Sequence, residues 1–292
     1  MKMGVNDMEA KINYKNELFR KILIYAFLIA FGIFMIYPLL WVFASSFKTN
    51  DEIFKSLSLI PKHIVTNSYI EGWKGTGQYS FGTFILNSIT LVVPVVVFTA
   101  ISSTIVAYGF ARFEFPLKNI LFTLMISTMM LPGTAVLIPR YILFNWLGWV
   151  NTYKPFIVPA LFGTTPFFIF MMVQFLRGLP KELEESATID GCNSFQILIK
   201  ILMPLCKPAI ISMCIFQFIW TWNDFFNPLI YINSVEKYTV SLGLNMTIDG
   251  TSVVNWNQIM AMTIISMIPS IIIFFSAQKY FVEGIATTGL KN

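Results

Sequence analysis

The sequence predicts an all-α integral membrane protein: six transmembrane helices, with a helical elbow on the cytoplasmic side between the fourth and fifth. Three observations carry this. Of the 292 residues, 56% are hydrophobic and 12% charged, with a mean hydropathy of +0.69, more apolar than one soluble core can absorb. Apolar runs of about 20 residues recur to the end of the chain, each long enough to cross a hydrocarbon layer of about 30 Å as a helix. Lys and Arg are also unevenly spread: with both termini and the elbow inside, 13 fall on the inner side and 7 outside. The net charge of +5 is therefore a topology signal first and gives no reason to invoke nucleic acid.

Residues 1–21 form a basic cytoplasmic N-terminus, and the first span runs from Ile22 to Phe43, roughly 33 Å as a helix. It is too long for a signal-peptide core and lacks a small-residue cleavage site. Tyr37 and Trp41 fit the outer aromatic belt. Residues 44–82 make a polar outer loop with Gly-containing turns between Gly72 and Gly77. The second span, Phe84 to Tyr108, is dense in Ser, Thr and Ala, which suits close helix packing more than lipid exposure. It closes on an inner turn marked by Arg112 and Lys118.

The third span, Asn119 to Ile138, contains Pro132, Gly133 and Pro139; broken backbone at membrane depth is tolerated only inside protein or beside water. Residues 140–154, rich in Trp and Tyr, are expected as an outer cap, and the fourth span, Pro155 to Leu176, returns the chain inside. The fifth, Lys207 to Ile232, carries one ionisable residue in its apolar run, Asp224. That Asp costs about 3 kcal/mol on an insertion scale, while a dozen apolar neighbours at about −0.5 kcal/mol each more than offset it. An outer loop at 233–257 precedes the sixth span, Gln258 to Ala277. Residues 22–282 thus form one membrane domain, followed by a cytoplasmic tail at 283–292.

The elbow, residues 180–208, reads PKELEESATIDGCNSFQILIKILMPLCKP. Glu182, Glu184 and Glu185 sit in the first turn of a helix, where carboxylates complement the exposed N–H groups. Gly191 stops that helix, and Asn193 or Ser194 caps a second one. The spacing of Phe195, Leu198, Ile199 and Leu202 predicts a single apolar stripe on it, ended or kinked by Pro204 and Pro208.

Chemistry-bearing patterns are sparse. Cys192, Cys206 and Cys214 have no metal-ligand spacing, His63 is a lone imidazole in a polar loop, and no phosphate-binding loop of the GxxxxGK(S/T) type occurs. No metal or cofactor is therefore expected on this chain, and nucleotide chemistry has to come from another. Asp224, with Trp222 and Asn223 beside it, either lines a pathway or hydrogen-bonds a neighbouring helix. With 29 Phe, 11 Tyr and 7 Trp, most aromatic rings must be packing or lipid contacts and not a binding site.

ELEESATIDG followed by ILMPLCKP closely resembles the EAA loop of ATP-binding cassette (ABC) importer permeases, a Glu-Ala-Ala triplet followed by Gly and an Ile-x-Leu-Pro ending. Glu185, Ser186 and Ala187 occupy the triplet, Gly191 the glycine, and Ile201, Met203 and Pro204 the ending; Ser186 and Met203 depart from the commonest residues. AYGFARFEFP, LPGTAVLIPRY, LGWVNT, WNDFFNPL, KYTVSLGL and FVEGIATTGLKN extend the resemblance over nearly the whole chain, to carbohydrate-uptake permeases of the maltose-system G type.

The resemblance implies an ATP-driven importer of a sugar or oligosaccharide in the cell membrane, working by alternating access, with no catalysis on this chain. Its partners would be a second, different permease, two ATPase subunits that bind ATP and Mg, and an extracytoplasmic sugar-binding protein. Glu182, Glu184, Glu185, Ser186, Ala187, Asp190, Gly191 and Pro204 would form the ATPase-coupling surface. The loop Asn245 to Asn257, with Asp249 and Gly250, would touch the binding protein, and the tail Gly284 to Lys291 the ATPases; a solvated loop and a frayed end are the plain alternatives. An osmolyte or glycerol-phosphate importer, an ion-coupled secondary transporter and a membrane enzyme are the competing readings. The last two lack, respectively, further buried acids and a converging catalytic cluster.

Overall fold

A computed structural model describes the backbone at residues 3–75, 78–249 and 254–289, and side chains at 17–75, 78–248 and 254–279. Among the described residues the secondary structure is helical, with no strand, as expected from the sequence. Three unbroken helices are long and apolar enough to cross a membrane. They are α1 (Met3–Ser45), through its stretch Glu17–Ser45, α4 (Phe81–Arg112), and α15 (Trp256–Gly289), through Trp256–Lys279. These are the expected first, second and sixth spans. None of the most apolar window of α1 is buried within the chain, which leaves that surface for the bilayer.

The segments expected as the other three spans are broken, and among the described residues the candidate spans number at most five if each bent pair is one span. The third is a bent pair, α5 (Lys118–Thr128) and α6 (Gly133–Trp146), meeting at 101°. Pro132 stands at the start of α6 in extended conformation, and a proline offers no N–H to continue the helix before it. Since α6 runs to Trp146, residues 140–146 are helix and not part of a cap loop. The fourth span is two short helices, α7 (Lys154–Ala160) and α8 (Pro166–Gly178), with Pro166 opening the second.

The fifth span does not run through to Ile232. Its helix (α12, Lys207–Trp222) stops at Asn223, and a separate helix (α13, Phe226–Tyr231) follows. The cause is local: Asp224 accepts from the Asn227 backbone N–H at 3.2 Å and from Asn227 Nδ2 at 2.8 Å. An Asp side chain that bonds its own downstream backbone competes with helix continuation.

Two compact units are formed. In Met1–Gly72 with Asn255–Ile264, the expected polar loop is ordered around α2 (Asn50–Lys55) and α3 (Asn67–Lys74). Val65 N–H donates to Phe47 O at 2.8 Å, Lys62 N–H to Glu52 Oε1 at 2.8 Å, and the fully buried Lys48 ammonium to Ser58 O. Gly72 belongs to α3 and not to a turn.

The larger unit, Trp73–Val254 with Ile265–Asn292, is built around α4, on which α7, α8, α12 and α14 (Val240–Asp249) pack. The hydroxyls read from the sequence do tie helices together. Ser102 Oγ donates to Ala160 O at 2.6 Å, and Ser88 Oγ accepts the Val240 N–H at 2.8 Å. From α8, Phe168, Ile169, Met172, Val173 and Leu176 present one buried face at helical spacing, held against its neighbours by close packing. Gly243 in α14 lies against the buried Phe84 ring, where a Cβ would come within 2.3 Å of Phe84 Cδ2.

Candidate functional site

In the larger unit polar groups come together at the elbow and again around Asp224. α9 (Glu182–Ile189) opens with Glu182, Glu184 and Glu185 in its first turn. It ends in a Schellman motif: Cys192 N–H donates to Ala187 O at 2.9 Å and Gly191 N–H to Thr188 O at 3.0 Å. Gly191 takes φ +81°, which a side chain would strain. Asn193 then caps α10 (Ser194–Ile197) in a capping box with Gln196, both bonds at 2.9 Å. The 16-residue stretch from Glu182 to Ile197 is thus two short helices locked by one defined corner.

The expected stripe on the second helix needs correction. Phe195 and Ile199 are exposed, whereas Ile197, Leu198 and Leu202 are buried. Leu198–Leu202 winds as a π-helix, with Met203 N–H reaching Leu198 O, and the extra residue per turn rotates the buried face away from the α-helical spacing. After α11 (Met203–Leu205), with Pro204 exposed in its first turn, the chain bends by 78° into α12.

The coupling residues expected from the sequence divide by environment. Ala187 is buried in the core formed with Tyr108, Met172, Leu176 and Leu202. Glu182, Glu185, Ser186, Asp190 and Gly191 are exposed, as are the apolar Leu183, Ile189 and Phe195. Glu184 points inward and makes a 2.5 Å contact with Arg112 Nε at the end of α4; only 6% of the Arg112 side chain and 15% of the Glu184 side chain is accessible. That contact is a charge pair and not a directed hydrogen bond, since neither atom has a hydrogen-bond partner of normal geometry. The directed guanidinium bond runs from Nη2 to Leu179 O, 3.1 Å, at the end of α8. Tyr108 OH donates to Ser194 O at 3.2 Å. A cavity of about 250 Å³ lies among Tyr108, Arg112, Lys181, Glu184 and Glu185.

Sequence reasoning took Arg112 only as an inner-side marker. The one available signal was a cation closing an otherwise apolar helix; its partner could not be read locally.

The second place surrounds Asp224. A cavity of about 180 Å³ is lined by Arg140 (α6), Gln217 and Thr221 (α12), Asp224, and Asn227 and Tyr231 (α13), against Val95, Pro155 and Phe156. Gln217 Nε2 donates to Thr221 Oγ1 at 2.8 Å. Tyr231 is 2% exposed, and its hydroxyl has no hydrogen-bond partner among the described residues. The Arg140 guanidinium lies near that hydroxyl without closing a bond of normal geometry.

Of the three pathway candidates, only Asp224 reaches this cavity. Trp222 is buried with its Nε1 donating to Ser266 O at 2.9 Å, which makes it a packing residue, and Asn223 bonds back to Ile219 O at 2.9 Å. Arg140, expected in an outer cap, and Tyr231, one aromatic among many, were both missed.

The remaining candidates lie elsewhere. Asn245 to Asp249 belong to α14 and not to a loop, Asp249 ends that helix, and Gly250 lies outside the described residues. The backbone of the tail continues α15 to Gly289, and residues 290–292 lie outside the described residues. The three cysteines are free thiols, with Cys206 buried. Among the described residues no group of three His, Cys, Asp or Glu side chains converges to hold a metal.

Residues 100–287 match the family described as binding-protein-dependent transport system inner membrane component. The chain is 31% identical to the arabinooligosaccharides transport system permease protein AraQ of Halalkalibacterium halodurans, over 88% of this chain and 91% of that one. It is 30% identical to the osmoprotective compounds uptake permease protein GgtD of Synechocystis, over 96% and 95%. Its fold matches a chain of a bacterial ABC transporter involved in import of the acidic polysaccharide alginate, with a TM-score of 0.79 and 24% identity, covering 89% of this chain and 95% of that one.

Proposed function

Since this chain belongs to the binding-protein-dependent transport system inner membrane components, as a non-catalytic, multi-pass ABC importer permease, we propose that its cargo is a neutral sugar or short oligosaccharide handed over by an extracytoplasmic binding protein. Its partners are a second, different permease and two ATPase subunits that hold ATP and Mg, and its termini and elbow face the cytoplasm of a cell whose plasma membrane it spans.

The observation that carries the coupling role is the construction of the elbow. The Schellman turn at Gly191 and the capping box at Asn193 leave few soft dihedrals between α9 and α10. Ala187 and the Arg112–Glu184 contact fasten α9 to α4 and to the core that α8 and α12 share. The outward Glu182, Glu185, Ile189 and Phe195 are left for a soluble partner. Closure of an ATPase dimer gripping that face rocks the helices as a body, the general form of alternating access. A soft linker would absorb the same motion.

Glu185→Lys and Gly191→Pro therefore leave membrane insertion intact but uncouple ATP hydrolysis from uptake; normal transport by both variants refutes the coupling role. Reconstitution with and without an ATPase subunit excludes the ion-driven reading, because a secondary transporter moves solute in both preparations. The relative named for osmoprotective compounds favours a second cargo class, an osmolyte. Thermal stabilisation of the cognate binding protein decides between them, since ligand at 100 times Kd adds about 2.7 kcal/mol.

A further inference from the structure

In the smaller unit the chain does not leave the first span directly for water. α1 ends at Ser45, and Tyr37 stands about 12 Å of helix axis before that end. Its hydroxyl nevertheless donates to Leu57 O at 2.9 Å, which places Leu57 beside the last turns of α1 and not beyond them. The chain then returns, with Val65 N–H donating to Phe47 O at 2.8 Å. Residues 54–64 thus run back along the span before the chain enters α3.

Two features of this excursion are unlike a solvated loop. Phe54, Leu57, Ile60 and Ile64 are 69%, 76%, 78% and 74% exposed, beside a span whose most apolar window is open as well. Its backbone, by contrast, is paired internally at many points. Ser56 N–H donates to Glu52 O at 3.1 Å, Ser58 N–H to Ser56 Oγ at 3.2 Å, Ile60 N–H to Ser58 Oγ at 3.1 Å and Lys62 N–H to Glu52 Oε1 at 2.8 Å, while Pro61 has no N–H to place. Besides the Tyr37 bond to Leu57 O, the fully buried Lys48 ammonium donates to Ser58 O. Water would satisfy such groups without this arrangement, whereas hydrocarbon and its border would not.

We propose that residues 54–64 are a lipid-seated collar, lying in the leaflet at the far end of the first span with Leu57 and Ile60 against acyl chains and Lys55 and Lys62 toward the lipid phosphates. The occupant follows from continuity, since the open apolar side chains extend the surface that α1 already gives to the bilayer. The charge agrees. Lys55 and Lys62 fall between 54 and 64 with no acid among them, and a lysine keeps its ammonium in the headgroup layer while its stem stays on apolar surface. Lys55 pairs with Asp51 at 3.3 Å, an exposed contact weak enough for a phosphate to replace. The inference needs only that α1 crosses the membrane, and it depends on neither the cargo nor the orientation proposed above.

The test uses the whole importer, this chain with its partner subunits, in nanodiscs of phosphatidylcholine and phosphatidylglycerol, which leave both membrane faces open. In a background of Cys192→Ser, Cys206→Ala and Cys214→Ala, a fluorophore is attached at Leu57→Cys, Ile60→Cys, Thr66→Cys or Phe34→Cys. The first two report on the collar. Thr66 follows the Val65–Phe47 bond beyond the end of α1 and serves as the water reference, and Phe34 lies within the span and serves as the lipid reference. All four native side chains are exposed, so none of these changes removes packing. A nitroxide carried high on the phosphatidylcholine acyl chain should quench residues 57 and 60 several-fold more than residue 66, and should also quench residue 34. Aqueous iodide should quench residue 66 several-fold more than residues 57 and 60.

Iodide quenching at residues 57 and 60 equal to that at 66 overturns the collar, because the loop then stands in water. Protection of 57 and 60 from both quenchers overturns it as well, and assigns this surface to the second permease or another protein. Absence of lipid quenching at residue 34 removes the span on which the inference rests, and the inference with it.

Discussion

Two arginine and carboxylate pairs end up in opposite states in the larger unit. Arg112 and Glu184 meet at 2.5 Å with little of either side chain accessible, at the joint between α4 and the elbow. Arg140 and Asp224 share a cavity of about 180 Å³ and stay apart. The first arrangement fits a joint that must transmit force, because a closed and buried pair resists separation. The second leaves Arg140 exposed and Asp224 half-buried and bonded to Asn227, so neither charge depends on the other.

Breaking the closed pair should have the largest effect. Arg112→Ala strands a buried carboxylate, so we expect destabilisation of about 3–5 kcal/mol, read as a drop in the thermal midpoint of the purified assembly together with loss of uptake. Arg112→Met combined with Glu184→Leu fills the same space without charge and should recover most of that stability. If the double variant also restores full coupling, packing and not charge holds the joint.

Next in size is Gly191→Ala. Placing a Cβ at φ +81° costs about 1–2 kcal/mol and loosens the corner, which coupled ATPase and uptake assays detect as hydrolysis without import. Trp222→Phe removes the bond to Ser266 O and should cost about 1 kcal/mol in stability while leaving sugar competition profiles unchanged. A changed profile would bring Trp222 into the solute path.

The smallest effect is expected at Glu114, whose pair with Lys118 at 2.9 Å leaves 88% of the Glu114 side chain accessible. The Lys118 hydrogen bond and charge hold the Glu114 carboxyl below its ordinary 4.5. A lowered folded value means that any contribution is present above about 4.5 and disappears as pH falls through the lowered value. At pH 7 the midpoint of Glu114→Gln should match the parent. A loss as large as that from Arg112→Ala would show that burial is not what separates these pairs.

The elbow was legible wherever its structure depends on neighbours in sequence. Acidic residues in the first turn of α9, the glycine corner and the Asn193 cap follow from backbone groups three to five residues apart, and they stand as expected. Phe195 and Ile199 were misplaced because the apolar spacing assumed α-helical winding, and the π-turn at Leu198–Leu202 changes the period. The break at Pro132 stands as expected, because a missing N–H is legible in the sequence, whereas the span boundary at Asp224 was misread: hydropathy counts apolar residues and does not register where a side chain ends the helix.

By itself the sequence determined that this chain enters a membrane as helices and carries a stiff elbow, because transfer energies add along the chain and caps act over a single turn. Only the tertiary structure decided which charges meet. Arg112 finds Glu184 and Arg140 comes to share a cavity with Asp224 through the packing of α4, α6, α9 and α12, and nothing local to any of those residues specifies a partner so far along the chain.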